Sequence, residues 1–298
     1  MPDFSETARL RRSVLSVPAI NRRALDKTHM LDCDAVIFDL EDSVAPEKKA
    51  EARNNLRRFF AETPLNGKET IIRINALASD FGAEDIELVR DVMPNAVALP
   101  KVDDISVITD IEARLAQSSP HLRIWAMMET ARGIANAVEI ARAAHDSGTR
   151  LDCFVIGLND LRKDTGVPAR PGRTYLMPWM MQVVLAARAY GLDVIDSVFN
   201  DFRESAAYEA ECEQGRDMGF DGKMLIHPVQ IEAANHAFGP SPEAVKEARA
   251  IIAAFALPET KDLNVITMDG RMVERLHLVQ AEKLVAKANR MAERRTRA

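Results

Sequence analysis

The chain has 298 residues, of which 47% are hydrophobic, so it can bury the core of one large barrel or of two ordinary domains. Its formal net charge of −6 argues against a general binder of nucleic acid, because such proteins need an excess of positive charge. No apolar run approaches the roughly 18 residues that a membrane-spanning helix needs.

Cysteine content and the N-terminus bear on the cellular compartment. Cys33, Cys153 and Cys212 are far apart and form no CxxC pair, so the sequence indicates neither a disulfide framework nor a zinc site. The N-terminus has no apolar segment of the kind that a secretory signal carries. We therefore expect a protein of the reducing cytoplasm that works without a membrane.

Short β-rich runs alternate with longer helical patterns about eight times along the chain, which is typical of parallel βα units. Most of the runs are continuously apolar, as expected for strands that are covered on both faces. They are SVLSV (13–17), AVIFDL (35–40), TIIRI (70–74), AVALP (96–100), RIWAMM (123–128), LDCFVIG (151–157), LDVIDSV (192–198) and GKMLI (222–226). Eight such strands predict an α/β fold of the TIM (β/α)8 barrel class.

Proline and glycine mark the expected helix boundaries. Pro46 suits the first turn of a helix, Pro64 and Gly67 follow a helix, and Gly148 and Gly191 stand beside later helix ends.

The last strand is followed by a segment that a barrel does not need for closure. We place the barrel in residues 1–238 and a C-terminal helical extension in residues 239–298. The extension contains an NVITMDGR stretch with hairpin potential and a final amphipathic helix from about Met272. It could contribute to the active site and to an oligomer interface, or it could serve packing alone.

The active site of a (β/α)8 barrel lies at the C-terminal ends of its strands, so the polar residues that follow each apolar run are the candidates. One such charge is usually a helix cap or a solvated loop residue, but the shared position of many predicts a site. The candidates are Asp39, Glu41, Asp42, Arg73, Asn75, Lys101, Glu129, Asn159, Asp160, Asp196 and His227.

Glu129 and Asp160 follow adjacent strands and should therefore lie on neighbouring loops. Mg²⁺ is usually held by one or two carboxylates together with waters and substrate oxygens, so this pair suits the ion. A 2-oxo acid could bind such an ion, which would polarise its carbonyl group. Arg73 would then neutralise charge that develops on oxygen, or it could form a permanent ion pair with Glu41 or Asp42. Both roles can coexist.

An anionic ligand such as CoA would need a local basic patch against the negative net charge. Its candidates stand near the first two strands, with a solvated helix face as the alternative for most of them. They are Arg11, Arg12, Arg22, Arg23, Lys48, Lys49 and Arg53.

Six motifs in order along the chain resemble one protein family. The motifs are FDLEDSV (38–44) with APEKKAEAR behind it, IRIN (72–75), LPKV (99–102), METARG (128–133), GLNDL (157–161) and DGKMLIHPVQI (221–231). They are similar to the citrate lyase β-subunit-like branch of the HpcH/HpaI aldolase and citrate lyase superfamily. The stretches VLAARAYGLDVIDSVFNDFRE and ECEQGRDMGFDGK look most like malyl-CoA and citramalyl-CoA lyases.

The resemblance implies a (β/α)8 barrel that assembles as a homotrimer or hexamer, binds Mg²⁺ and acts on a CoA thioester. It implies Glu129 and Asp160 as metal ligands. It also implies that Arg73 contacts the oxo acid, with Glu41 and Asp42 fixing its orientation. The CoA phosphates would be bound by basic residues near the first strand ends. Those residues are Arg12, Lys48 and Arg53.

The sequence departs from the family at one position. Many relatives carry a catalytic aspartate in a C-terminal turn, and the corresponding stretch here is DGRMVERLH, with Glu274 at that place. Glutamate keeps the carboxylate but adds a methylene, and catalysis is sensitive to shifts of about 1 Å. Glu274 could be the acid/base of this subunit or of the next, or an ordinary helix residue. His277 could pair with it.

We therefore predict a Mg²⁺-dependent lyase that cleaves malyl-CoA or citramalyl-CoA to acetyl-CoA and a 2-oxo acid. Cleavage would begin with removal of the 3-hydroxyl proton, and Glu274 would protonate the acetyl-CoA enolate. A malyl-CoA-type thioesterase needs the same hold on CoA and a carboxylate that activates water, so it is the second hypothesis. A third is a CoA-metabolite-binding subunit without turnover. The sequence does not identify the acyl group, its stereochemistry or the physiological direction.

Overall fold

The computed structural model describes residues 9–143, 145–146 and 149–297, with side chains as far as residue 294. Contacts within the chain divide it into a unit of Arg11–Phe238 and a second unit that begins at Gly239. Gly148, which the sequence predicts beside a helix end, lies outside the described residues.

Eight parallel strands form a closed barrel in the first unit, with the strand order identical to the chain order. Its closure rests on the pairing of the first strand with the last, where Val14 is opposite Met224. All eight predicted strands are confirmed, each within about two residues. They are β1 (Ser13–Pro18), β2 (Ala35–Asp39), β3 (Glu69–Arg73), β4 (Ala96–Leu99), β5 (Arg123–Met128), β6 (Leu151–Ile156), β7 (Asp193–Asp196) and β8 (Gly222–Leu225).

Successive side chains of a strand point to opposite faces, which divides the core into an inner and an outer layer. The inner cluster takes alternate residues, such as Ile37 of β2 and Val155 of β6. Trp125 is its largest member, and small residues such as Ala96 and Ala98 on the neighbouring strand β4 leave room for it. The outer cluster fills the space between the strands and the helices.

Helices follow the strands and cover the outer layer. They are α1 (Arg22–Lys27), α2 (Lys49–Glu62), α3 (Gly82–Val92), α4 (Ile105–Arg114), α5 (Ala131–Ala135), α6 (Ala137–Arg142), α7 (Leu158–Thr165), α8 (Met177–Tyr190), α9 (Ser205–Asp217) and α10 (Ile231–Ala237). Pro46 opens a short 3-10 turn before α2, and Gly191 ends α8 with a φ of 74°, as their positions in the sequence predict. No helix in the described part of the chain is long and apolar enough to cross a membrane.

A buried arginine closes the N-terminal end of the barrel. The guanidinium of Arg11 lies 4.7 Å from the centre of the Trp125 ring and forms ion pairs with Glu69, Asp152 and Asp193. Charged groups at this end of a barrel serve stability, whereas chemistry takes place at the opposite end.

From residue 239 to residue 297, the described part of the second unit contains two helices and a β-hairpin. Its elements are α11 (Pro242–Ala256), β9 (Val265–Met268), β10 (Arg271–Glu274) and α12 (Arg275–Arg297). The hairpin turns at Asp269 and Gly270, both with positive φ (51° and 74°), as an Asp-Gly type I′ turn requires. The hairpin that the sequence suggests is therefore present. The predicted helix start at Met272 is wrong, because Met272 pairs with Thr267 across the hairpin and the helix begins at Arg275.

Candidate active site

The alternation of the strands brings a group of charged side chains together at the C-terminal end of the barrel. Asp39, Arg73 and Glu129 each stand two residues after an inner-core residue, namely Ile37, Ile71 and Met127. They therefore project toward the barrel axis, one layer above the apolar interior. All three are at least nine-tenths buried.

Asp39 fixes the orientation of Arg73. Its Oδ1 accepts from Arg73 Nε at 2.7 Å and its Oδ2 accepts from Nη2 at 2.6 Å, so the guanidinium plane is held by two parallel bonds. The same carboxylate accepts the backbone N–H groups of Glu41 and Ser43. Burial acts to raise the pKa of Asp39, but the bonds and charge of Arg73 outweigh it and the pKa is lowered. Asp39 is therefore a permanent anion beneath Arg73.

The remaining nitrogen of Arg73 faces Glu41. Its Nη1 lies 3.2 Å from Glu41 Oε2, while Glu41 Oε1 accepts from Lys101 Nζ at 2.6 Å. Burial raises the pKa of Glu41 in spite of these two cations. Two cationic groups thus flank one buried carboxylate at the mouth of the barrel.

Lys101 adopts an unusual backbone conformation directly after β4. Its φ of 49° lies in the left-handed region, which is uncommon for a residue with a side chain. This conformation aims its backbone N–H at Glu129 Oε1, at 2.9 Å, while its ammonium group reaches Glu41. Local strain of this kind persists where the surrounding structure fixes it, and it is concentrated at functional sites.

Burial shifts the pKa of the Glu129 carboxylate far from its ordinary value. It is 1% exposed, and burial raises its pKa to about 7 against the opposing effects of the Lys101 N–H and of Arg73. The negative charges of Glu41 and Asp160 raise the pKa further. Such a group binds a cation readily, because a positive charge would relieve both the desolvation and the repulsion.

The space for the Glu129 carboxylate depends on a glycine. A Cβ atom at Gly157 would lie 2.2 Å from Glu129 Oε2 and 2.6 Å from Glu129 Cβ. Gly157 also precedes α7, so the absence of its side chain lets the helix start close to Glu129.

Asp160 stands in the first turn of α7 and is half-buried. Gly157 provides no side-chain cap for this helix, and the cap comes from another strand end. The backbone N–H of Leu158 donates to Ser197 Oγ at 3.0 Å, and Ser197 is itself 1% exposed. The side chains of Asn159 and Asn200 hydrogen-bond each other as well. The loop after β7 therefore sets the position of Asp160.

The residues present fit a magnesium ion held by few protein ligands. No group of three or more His, Cys, Asp and Glu side chains suited to a metal occurs within the described residues. Mg²⁺ does not need one, because it keeps several waters and uses one or two carboxylates. Glu129 and Asp160 supply two, with the raised pKa of Glu129 and the space left by Gly157 as the features that favour a cation.

The structure does not bring the predicted CoA-binding cations together with this site. Arg12 precedes β1, at the opposite end of the barrel, where Asp34 holds its Nε and Nη2 at 2.7 and 2.8 Å. Arg53 is buried against Asp85 at 2.9 Å and also pairs with Glu84. The predicted contacts of Arg12 and Arg53 with CoA phosphates are corrected for the same reason: each guanidinium already forms a structural ion pair within the barrel unit. Lys48 is exposed and pairs with Glu51.

Two further predicted residues take different contacts from those expected. Asp42 does not touch Arg73 and is 3.9 Å from Lys101 Nζ, with a largely exposed side chain. Glu274 is the last residue of β10 in the second unit, and its backbone N–H donates to His277 Nδ1 at 2.9 Å. The pairing expected between Glu274 and His277 thus involves the backbone of Glu274.

Sequence reasoning missed the role of Asp39 and the cap from Ser197. The signal for Asp39 was available, because residues 37 and 39 must lie on the same face of β2 while residues 41 and 42 are beyond the strand. Nothing in the sequence near α7 points to a cap that comes from 39 residues away.

A parallel (β/α)8 barrel with buried carboxylates and an arginine at the C-terminal ends of its strands has the arrangement of a barrel enzyme. The chain belongs to the HpcH/HpaI aldolase/citrate lyase family, whose model matches residues 12–228.

Relatives with curated functions cover almost the whole chain. A (3S)-malyl-CoA thioesterase of Cereibacter sphaeroides is 44% identical over 281 residues, which are 94% of this chain and 95% of the relative. The mitochondrial citramalyl-CoA lyase of Homo sapiens is 32% identical and covers 95% of this chain, with 87% of its own length matched.

Among solved structures, CitE of Mycobacterium tuberculosis in complex with magnesium, acetoacetate and coenzyme A is similar with a TM-score of 0.73. It is 29% identical, and the match covers 93% of this chain and 97% of that chain.

Proposed function

We propose that this protein hydrolyses the thioester bond of a malyl-CoA-like 3-hydroxyacyl-CoA with the help of Mg²⁺. The observation that carries the proposal is the 44% identity with a (3S)-malyl-CoA thioesterase over 94% of the chain. The carboxylates, the arginine and the glycine described above support the proposal, because they suit a divalent cation and an anionic acyl group.

Glu129 and Asp160 would hold the ion. When bound, Mg²⁺ supplies a Lewis acid that polarises substrate oxygens and stabilises negative charge on them. Lys101 orients the Glu129 carboxylate through its backbone N–H, and Ser197 holds the start of the helix that carries Asp160. This protein would therefore present both carboxylates already in place, which reduces the cost of binding the ion.

Arg73 would bind the carboxylate of the acyl group. Its fork to Asp39 fixes the guanidinium plane, and Nη1 remains directed at the mouth of the barrel beside Glu41. A guanidinium pre-oriented in this way loses little freedom when it binds an oxyanion. Lys101, whose side chain is 41% exposed, adds a second positive charge to the same rim.

Hydrolysis also needs a base, and we assign that role to Glu274. Its carboxylate would take a proton from water, whose oxygen bonds to the thioester carbon as the C–S bond breaks. The proton then passes to the departing thiolate of CoA. We further propose a homo-oligomer, a trimer or a hexamer, in which the C-terminal extension from residue 239 contributes to the active site.

A carbon-carbon lyase is the second candidate. It is favoured by the 32% identity with a citramalyl-CoA lyase over 95% of the chain. In that reaction a base removes the proton of the 3-hydroxyl group, the C–C bond breaks, and the acetyl-CoA enolate takes a proton. The two candidates share the ion, Arg73 and the CoA thioester, and they differ in which bond breaks.

Mass spectrometry of the products separates the candidates. Purified protein is incubated with Mg²⁺ and either malyl-CoA or citramalyl-CoA, each with an EDTA control. Free CoA and the intact hydroxy acid support hydrolysis, whereas acetyl-CoA with glyoxylate or pyruvate identifies a lyase. Glu129→Gln and Asp160→Asn should abolish either reaction, with Asp91→Asn on the outer helix α3 as a matched carboxylate control that keeps full activity.

Mixing inactive variants tests the role of the extension. If Glu274 acts in a neighbouring subunit, co-refolded Glu129→Gln and Glu274→Gln chains regain part of the activity, because some sites combine intact residues from two chains. Full activity of Glu274→Gln alone would remove this residue from the mechanism.

A further inference from the structure

A buried carboxylate on the outer face of the barrel wall is not used by the site described so far. Asp196 ends β7 and follows Ile195, which belongs to the inner cluster, so its side chain points away from the barrel axis. The sequence places Asp196 among the candidates for the active site, but its side chain is 0% exposed and faces α9. Any role of Asp196 in the reaction is therefore exerted through its neighbours.

Two cations hold the Asp196 carboxylate. Arg173 Nη1 lies 2.6 Å from Oδ1 and 2.8 Å from Oδ2, and Lys223 Nζ lies 2.9 Å from Oδ2. Burial acts to raise the pKa of Asp196, but the charges of Lys223 and Arg173 outweigh it and the pKa is lowered. A Cβ atom at Gly215 of α9 would lie 2.8 Å from Asp196 Oδ2, so this glycine leaves the space that the carboxylate fills. Asp196 is a permanent, fixed anion.

Arg173 lies in the loop between α7 and α8, in an unfavourable backbone conformation. Gly172 and Arg173 have φ values of 68° and 57°, both in the left-handed region. Gln214 of α9 holds both residues, because its Oε1 accepts from Arg173 Nε at 2.9 Å and its Nε2 donates to the Gly172 carbonyl at 2.8 Å. A residue with a side chain keeps such a conformation only where its surroundings fix it. The loop that leaves α7 is thus fastened to Asp196.

The same carboxylate also supports the beginning of α7. Asp196 Oδ1 accepts the backbone N–H of Ser197 at 2.8 Å, and Ser197 Oγ accepts the N–H of Leu158 at 3.0 Å. Leu158 is the first residue of α7, and Asp160 is the third. One buried carboxylate therefore supports both ends of the short helix that carries Asp160.

We propose that Asp196 and Arg173 are positioning residues that hold Asp160 in place for the metal ion. This inference rests on the part of the proposed function that assigns Asp160 to Mg²⁺. Residues that orient a metal ligand without touching the metal commonly change the metal affinity by about tenfold or more when they are replaced. Lys223 provides a contrast, because its ammonium group joins Asp196 to Glu211 of α9 and not to the α7–α8 loop.

Two matched variants separate positioning from stability. Arg173→Met and Lys223→Met each remove one cation from Asp196 and keep apolar bulk, so both should lower the Tm. Calorimetry with Mg²⁺ in the absence of substrate should show about tenfold weaker binding for Arg173→Met and wild-type affinity for Lys223→Met. Gln214→Leu keeps both cations but loses the support of Arg173, and it should weaken Mg²⁺ binding severalfold. If Arg173→Met does not fold, Gln214→Leu carries the comparison with Lys223→Met.

Hydrogen exchange in EDTA tests the same support without metal. The backbone amides of residues 158–165 should exchange faster in Arg173→Met and Gln214→Leu than in the wild type, and at the wild-type rate in Lys223→Met.

The outcomes distinguish this inference from the proposed reaction. Losses of Mg²⁺ affinity that are equal in Arg173→Met and Lys223→Met would show a structural role alone and overturn the inference. Wild-type Mg²⁺ affinity in Arg173→Met or in Gln214→Leu would overturn it as well. Neither measurement requires turnover, so the expected pattern in a protein that hydrolyses no thioester would overturn the proposed function and keep the positioning role.

Discussion

Replacing Glu129 by glutamine should stabilise the metal-free protein at alkaline pH. Burial raises the pKa of Glu129 from 4.5 to about 7, and one pKa unit corresponds to about 1.4 kcal/mol. The ionised carboxylate therefore costs the fold about 3 kcal/mol near pH 8, a cost that a neutral amide removes. Glutamine also keeps an oxygen that can accept the Lys101 N–H.

The sign of the pH dependence follows from the raised pKa. Above pH 7 both the folded and the unfolded chain ionise Glu129, and the full cost is present. As the pH falls toward 5 the folded chain protonates Glu129, so the cost declines to about 1 kcal/mol. The advantage of Glu129→Gln should therefore be large near pH 8 and small near pH 5.

Thermal unfolding with and without metal measures this effect. In EDTA near pH 8, Glu129→Gln should raise the Tm by several degrees, since about 1 kcal/mol shifts the Tm of a unit this large by roughly 2–4 °C. Saturating Mg²⁺ should stabilise the wild type and leave the variant unchanged, because a ligand stabilises only the state that binds it. Glu62→Gln, at an exposed glutamate, is the control. An unchanged or lower Tm for Glu129→Gln in EDTA would refute this reasoning.

Three other substitutions probe the support of the site. Gly157→Ala should weaken Mg²⁺ binding at least tenfold in calorimetry, because its Cβ would lie 2.2 Å from Glu129 Oε2; wild-type affinity would contradict this. Ser197→Ala should weaken Mg²⁺ binding severalfold, because it leaves the Leu158 N–H without its acceptor. Ser197→Thr keeps a hydroxyl group and should recover the wild-type affinity for Mg²⁺. An affinity that threonine does not restore would disprove the capping role. Arg73→Lys keeps the charge but loses the two parallel hydrogen bonds to Asp39, so kcat should fall about a hundredfold at unchanged Mg²⁺ affinity. A normal kcat would show that the bidentate contact between Arg73 and Asp39 has no part in the chemistry.

The strands and the main candidates of the site could be read from the sequence because they follow from short-range regularities. Continuous apolar runs mark strands buried on both faces, and the residue after such a run must stand at one end of the barrel. Arg73, Glu129 and Asp160 were identified on that basis. The Asp-Gly pair also predicted the hairpin, since both residues tolerate positive φ.

The pairing of charges was decided by the tertiary structure. Arg12 and Asp34 are 22 residues apart in the sequence, and Arg53 and Asp85 are 32 residues apart. The local sequence therefore does not distinguish these ion-paired arginines from arginines that are free to bind a ligand. A buried charge must find a partner wherever the fold provides one, and the closed barrel brings distant strand ends together. For the same reason only the folded chain shows that Asp39 orients Arg73. The sequence determined which residues reach the catalytic end of the barrel, and the packing around each charge determined which of them remain available for chemistry.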